Sequence, residues 1–151
     1  MPHQSPVTAP DSLLNTLAEF RYQLRSFLHF SECAALAAGL QPQQHQLLLQ
    51  VAGASPQTAV TIAYAAERLG LKHNSAVELV DRSEREGLLT RTIDREDGRR
   101  AILKVTRKGN QILGRLAGDH ARELNEMAPR LASALERVRF HHEGAAGAEV
   151  R

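Results

Sequence analysis

The sequence predicts a mostly helical chain carrying one short β-hairpin, and three observations lead there. Alanine and leucine are abundant while aromatic residues make up only 4% and tryptophan is absent, which favours helices packed on small and branched side chains over a β-sandwich. Apolar residues recur at three- and four-residue steps toward both ends of the chain, the period of a helix with one buried face. Near residue 95, two β-prone runs flank one charged segment that contains glycine. A length of 151 residues with 42% hydrophobic and 24% charged residues fits one domain with short tails and excludes a disordered or collagenous chain. No apolar run approaches the ~20 residues of a membrane span.

The elements follow in order. Residues 1–10 hold three prolines without periodicity, and 143–151 are mostly Gly, Ala and charged residues, so both ends read as disordered tails around a domain spanning 11–142. Leu13, Leu17, Phe20, Leu24, Phe27 and Leu28 form one stripe of a helix over 11–38. Gly39 stops that helix, and Pro42 suits the first turn of the next, which carries Leu47, Leu48 and Val51 to about Ala52. Gly53 to Gln57 is a loop. A short helix from Thr61 to Leu69 is closed by Gly70, and a second runs to Glu86 and is closed by Gly87, a helix-turn-helix pattern. Leu88–Ile93 and Ala101–Val105 then form a hairpin with a charged tip, a wing. Ile112, Leu113, Leu116, Leu124, Met127, Leu131, Leu135 and Val138 continue a helical stripe through 108–140, with Pro129 a kink or a boundary between two helices.

Neither terminal helix has an obvious partner in so small a core. Their stripes are therefore expected to pack on each other and on a second copy, making 11–38 and 108–140 dimerisation helices around a 42–105 DNA-binding lobe. A two-fold dimer presents two reading helices together, and the matching ligand is a duplex with pseudo-palindromic half-sites. Charge agrees: Arg68 to Lys108 holds eleven basic residues against seven acidic ones, whereas the whole chain is only +2.

Several stretches carry a resemblance to a known family over roughly residues 13–140. They are Gly39-Leu40-Gln41-Pro42-Gln43-Gln44, Ala66-Glu67-Arg68-Leu69-Gly70-Leu71, and Val80-Asp81-Arg82-Ser83-Glu84-Arg85-Glu86-Gly87-Leu88-Leu89. Asp94, Asp97 and Arg99 join them in the wing, as does Leu103 to Gly109, ending in Thr106-Arg107-Lys108-Gly109, the strand leading into the last helix. Their order and spacing resemble the MarR family of winged helix-turn-helix transcriptional regulators. The resemblance implies an obligate dimer, a shallow small-molecule pocket between the dimer helices and the DNA-binding lobes, and ligand-dependent release from operator DNA.

On the second helix of the helix-turn-helix, Ala76, Leu79, Val80 and Ser83 fall inward, and Asn74, Glu78, Asp81 and Arg85 outward. Asn74 suits a bidentate bond to adenine, and His73 and Ser75 neighbouring bases or phosphates. Asn74 and Ser75 are equally good helix caps. Glu78 either accepts from a cytosine amino group or completes a capping box over Ser75-Ala76-Val77-Glu78, and the cap is preferred. Lys72, Arg82 and Arg85 are expected on phosphates. By resemblance Arg99 enters the minor groove with Asp97 orienting it, while Arg95 and Arg100 flank the tip. Glu96 stands where the family often has an arginine.

For an aromatic or anionic effector, Tyr22, Arg25 and His29 lie together opposite the first helix's apolar stripe, and His45 sits on the second helix; a plain wet face is the alternative. Cys33, the one cysteine, is expected to be a buried, inert thiol rather than an oxidation sensor. No phosphate loop, nucleophile motif or metal-ligand spacing points to an enzyme, a cofactor or a metal, and His141-His142-Glu143 is too weak a pattern for a zinc site. Without a secretory signal the cytoplasm is the expected location. The function expected is a DNA-binding transcriptional repressor released by a ligand. The alternative is a winged-helix dimer that binds a protein or small molecule, its DNA contact disabled by Glu78 and Glu96.

Overall fold

The computed structural model describes residues 10–148, with side chains through 142. Its order is α1 (Asp11–Ala37), α2 (Pro42–Ala52), α3 (Ile62–Leu69), α4 (His73–Arg85), β1 (Leu89–Ile93), β2 (Ala101–Val105) and α5 (Arg107–Ala148). This is the winged helix-turn-helix arrangement that the sequence predicts, and each boundary falls within two residues of expectation up to the start of α5. The last helix is longer than expected. It passes through Pro129 as one element and continues over 143–148, where a tail is predicted; the alanines there are strong helix formers. The rest of both predicted tails, 1–9 and 149–151, lies outside the described residues.

The described residues divide into two compact units, one from the parts of α1 and α5 up to Phe30 and from Ala121 on, the other from Ser31 to His120. In the second unit Leu47, Leu48, Leu79, Val80, Leu88, Leu89, Leu103 and Leu116 form one buried cluster. Two glycines make its tight corners possible. Gly70 ends α3 at φ +63°, where the N–H groups of Gly70 and Leu71 return to the last carbonyls, and Gly87 ends α4 at φ +73°. Thr61 caps α3, its hydroxyl accepting from the Tyr64 N–H at 3.1 Å. The antiparallel wing pairs Leu89 with Val105 through Ile93 with Ala101, and the Leu103 N–H donates to the Val60 carbonyl, fastening β2 to the segment before α3. Gln44 is buried but satisfied: its amide oxygen accepts from the Gln41 N–H and its amide nitrogen donates to Glu86 at 2.8 Å.

In the first unit the predicted stripe of α1 splits in two. Leu13, Phe20 and Phe27 are partly covered, but Leu17, Leu24 and Leu28 are exposed, as are Leu14 on α1 and Leu124, Leu135 and Phe140 on α5. The buried positions are Thr16, Gln23, Met127 and Ala134, and Ser12 bonds His141 between the two helices. Among the described residues, no helix is long and apolar enough to cross a membrane.

Candidate nucleic-acid interface

Helix α4 owes its orientation to Ala76, Leu79, Val80 and Ser83, all buried; the Ser83 hydroxyl donates to the Leu79 carbonyl and so costs the core nothing. The opposite side is open. Lys72, His73, Asn74, Ser75, Glu78, Arg82 and Arg85 are all exposed, and among the described residues their side chains make no hydrogen bond or ion pair. Both capping expectations fail here. The N-cap position belongs to Lys72, whose backbone is extended and which forms no side-chain cap bond. Asn74 and Ser75 therefore lie inside the first turn, two and three residues past the N-cap position, and Glu78 stands in mid-helix, three residues beyond the position that closes a capping box.

Arg91 was not anticipated. On β1 it shares a face with Leu89, which turns it toward α4. Its guanidinium Nη2 lies 2.7 Å from Asp81 and 2.6 Å from Glu84, and its Nε donates to Glu84 at 2.9 Å. These bonds, led by that to Glu84, hold Arg91 protonated even more firmly than usual. Asp81, predicted outward, is thereby half-buried under the Arg91 side chain. An inward register position occupied by arginine on a short strand was the signal available in the sequence.

The wing tip is built from its own carboxylates. Asp94 accepts from the Glu96 N–H at 3.0 Å and from Arg100 Nε at 2.6 Å, which together hold its carboxyl below the usual carboxylate range. Asp97 accepts from the backbone N–H of Arg99 at 3.1 Å, so it shapes the turn under Arg99 rather than gripping its guanidinium. Arg95 and Arg99 point their charge into solvent with no partner among the described residues, while Arg100 is engaged by Asp94.

Residues 38–100, which span both the α4 face and the wing tip, match the MarR family. This lobe belongs to the MarR family. Solved structures extend the likeness of the chain beyond the MarR lobe. A MarR family transcription regulator superposes at TM-score 0.69 with 20% identity, covering 92% of this chain and 89% of that one. The transcriptional repressor CouR bound to a 23-mer DNA duplex does so at 0.61 with 26% identity, covering 85% and 87%. CouR from Rhodococcus jostii RHA1 bound to p-coumaroyl-CoA gives 0.62 and 20%, covering 80% and 84%. No curated protein matches the chain.

The Ser31–His120 unit also holds a histidine pair. His45 is 3% exposed, and its ring lies 4.9 Å from that of His120 at a tilt of 53°. A carbonyl can only accept, so His120 donates from Nδ1 to Leu116 at 2.7 Å; its Nε2 meets the Ser31 hydroxyl at 2.8 Å. The buried Nδ1 of His45 has no partner among the described residues. Burial first, and the nearby His120 second, hold His45 below the ordinary histidine range. The consequence for stability has a definite sign. Below pH 6.5 the unfolded chain takes up a proton that folded His45 refuses, so stability falls as the pH drops, at most ~1.4 kcal/mol per pH unit, until folded His45 is itself protonated. Melting curves between pH 7.5 and 5 should show a steeper loss for the wild type than for His45→Gln, whatever the substitution does to the melting point at neutral pH. Equal slopes would rule the buried imidazole out as the cause.

The effector expectation therefore divides. Tyr22, Arg25 and His29 are exposed on α1, as predicted for either a ligand face or a wet one, whereas His45 is sealed inside the lobe and offers no surface to a ligand. Cys33 is a correction: it is exposed, because it falls between the covered Phe30–Ser31 and Ala34–Ala35 turns of α1 and faces the other way. Among the described residues no group of three or more His, Cys, Asp or Glu is placed to hold a metal ion.

Proposed function

We propose that the chain is a sequence-specific double-stranded DNA-binding transcription regulator that works as a homodimer. The observation that carries this reading is the open face of α4, seven exposed polar residues without partners, set in the same compact unit as a wing tip that projects Arg95 and Arg99. A surface whose donors are unspent can exchange water for base edges and phosphates at little cost. The likeness of the chain to DNA-bound CouR supports it. In this reading Asn74 reads adenine, with His73 and Ser75 beside it, and Glu78, released from any capping duty, accepts from a cytosine amino group. Lys72, Arg82 and Arg85 hold phosphates. Arg99 enters the minor groove on the turn that Asp97 shapes, Arg95 takes a phosphate, and Arg100, spent on Asp94, adds less than its charge suggests. The regulator is a repressor released by a small aromatic or anionic effector, for which Tyr22, Arg25 and His29 are the contact residues; CouR, bound in one structure to p-coumaroyl-CoA, supports that ligand class.

The test is a titration against the DNA upstream of the chain's own gene at several salt concentrations. Tight binding to one duplex, with log affinity falling steeply against log salt, is the expected result, and Arg85→Ala should flatten that slope by about 1. Equal, weak binding to every duplex would instead favour a winged-helix dimer that serves a protein or small-molecule partner. Glu78→Gln should change the preferred base at one position of each half-site, by ~1–3 kcal/mol of discrimination, and leave the melting temperature nearly unchanged. An unaltered preference would remove Glu78 from the reading set.

A further inference from the structure

Three carboxylates and three guanidiniums line an open cleft on the outer side of α4: Glu78, Asp81, Glu84, Arg82, Arg85 and Arg91. Five of them belong to α4, and on that helix the carboxylates outnumber the arginines three to two. A reading helix with an acidic surplus repels the polyanion it must approach. Only Arg91 comes from elsewhere, and it binds two of the three carboxylates at once.

We infer that Arg91 is a charge-positioning residue for DNA binding: by engaging Asp81 and Glu84 from the wing strand, it leaves Glu78, Arg82 and Arg85 as the unpaired charges of the face, a positive balance. The inference rests on the DNA-reading function proposed above. It assigns Arg91 no contact with DNA. The same bonds tie β1 to α4, so the wing and the reading helix keep one spacing while each meets its own groove. A purely structural role is a poor account of the cluster. The three side chains are 31%, 44% and 35% exposed, and ion pairs so open to water add little to folding stability. Their effect on a highly charged ligand is larger, because each unmasked carboxylate within a Debye length of a phosphate opposes binding.

The experiment measures binding by fluorescence anisotropy for the wild type, Arg91→Gln, Arg91→Lys and the triple variant R91Q/D81N/E84Q. Two labelled duplexes serve as probes, the region upstream of the chain's own gene and a scrambled duplex of the same composition. Arg91→Gln should bind both about tenfold more weakly at ~0.15 M salt, the deficit shrinking as salt rises, with its melting temperature within a few degrees of the wild type. Arg91→Lys, which keeps the charge, should lie close to the wild type. In the triple variant the exposed carboxylates are gone and affinity should return to the wild-type level. An Arg91→Gln protein that binds as tightly as the wild type overturns the assignment. So does a folded triple variant that stays as weak as Arg91→Gln, since Arg91 would then be touching DNA itself. If the wild type binds neither duplex, the DNA-reading function falls and this assignment with it; if the wild type binds and Arg91→Gln is unaffected, only the role of Arg91 falls.

Discussion

Gly109→Ala should destabilise the protein by roughly 3 kcal/mol, while Gly114→Ala and Gly118→Ala, a few residues along the same helix, should stabilise it by up to ~1 kcal/mol each. All three substitutions add one methyl group to a helix and relieve the same excess of backbone freedom, so propensity alone predicts three gains. Packing decides otherwise at the first. A Cβ on Gly109 would fall on the Leu88 carbonyl oxygen and within 2.6 Å of Val105 Cγ1, and neither is the far end of a flexible side chain; nothing lies within 4 Å of a Cβ at Gly114 or Gly118. The clash sits where the wing is fastened to α5. There the Thr106 hydroxyl donates to the Gly87 carbonyl at 2.6 Å and accepts from the Gly109 N–H, the Thr106 N–H donates to Leu88, and Lys108 Nζ donates to Glu86 at 2.8 Å. Pushing Leu88 away from α5 strains these bonds and moves a residue that is 2% exposed in the core. Chemical denaturation of the three variants checks both signs; a neutral Gly109→Ala would mean that the junction can relax.

Where the sequence was legible, a local rule and the tertiary fold asked for the same thing. Gly70 and Gly87 sit where apolar periodicity stops, and both adopt the left-handed backbone that ends a helix, so the helix-turn-helix could be bounded almost to the residue. The inward set Ala76, Leu79, Val80 and Ser83 followed from period alone. Reading failed where a local motif was taken without knowing which residue begins the helix. Ser75 to Glu78 has the composition of a capping box, but α4 starts at His73, so Ser75 and Glu78 fall on the exposed face of the helix while Ala76 between them is buried in the core. It failed again where a side chain answers to a distant one. Arg91 meets Asp81 ten positions back, and His45 meets His120 from the other end of the lobe; nothing in the spacing of either pair records the contact. Cys33 shows the limit of residue-type averages, since cysteine is among the most buried residues in general and is exposed on α1.

The substitution pair Leu24→Glu and Leu28→Glu should turn the protein into a monomer and cost DNA affinity a factor of about 10²–10⁴ without unfolding the lobe. In the first unit Leu14, Leu17, Leu24 and Leu28 line one side of α1, and Leu124, Leu135 and Phe140 add apolar surface on α5, all of it exposed in the single chain. A soluble monomer rarely leaves so many large apolar side chains uncovered together. Burying each leucine against a second copy contributes ~1.5–3 kcal/mol, and two-fold symmetry counts every residue twice. Two carboxylates per protomer remove those contributions and add four charges that would have to be buried at close quarters. The Ser31–His120 core contains neither position, so its melting should survive. DNA binding should not, because each α4 then meets its half-site alone and loses the effective concentration that linkage to its twin supplies. Sedimentation equilibrium, with anisotropy on the same samples, separates the outcomes. A variant that remains dimeric would place the interface elsewhere, and a monomer that binds at wild-type affinity would mean that paired half-sites play no part in recognition.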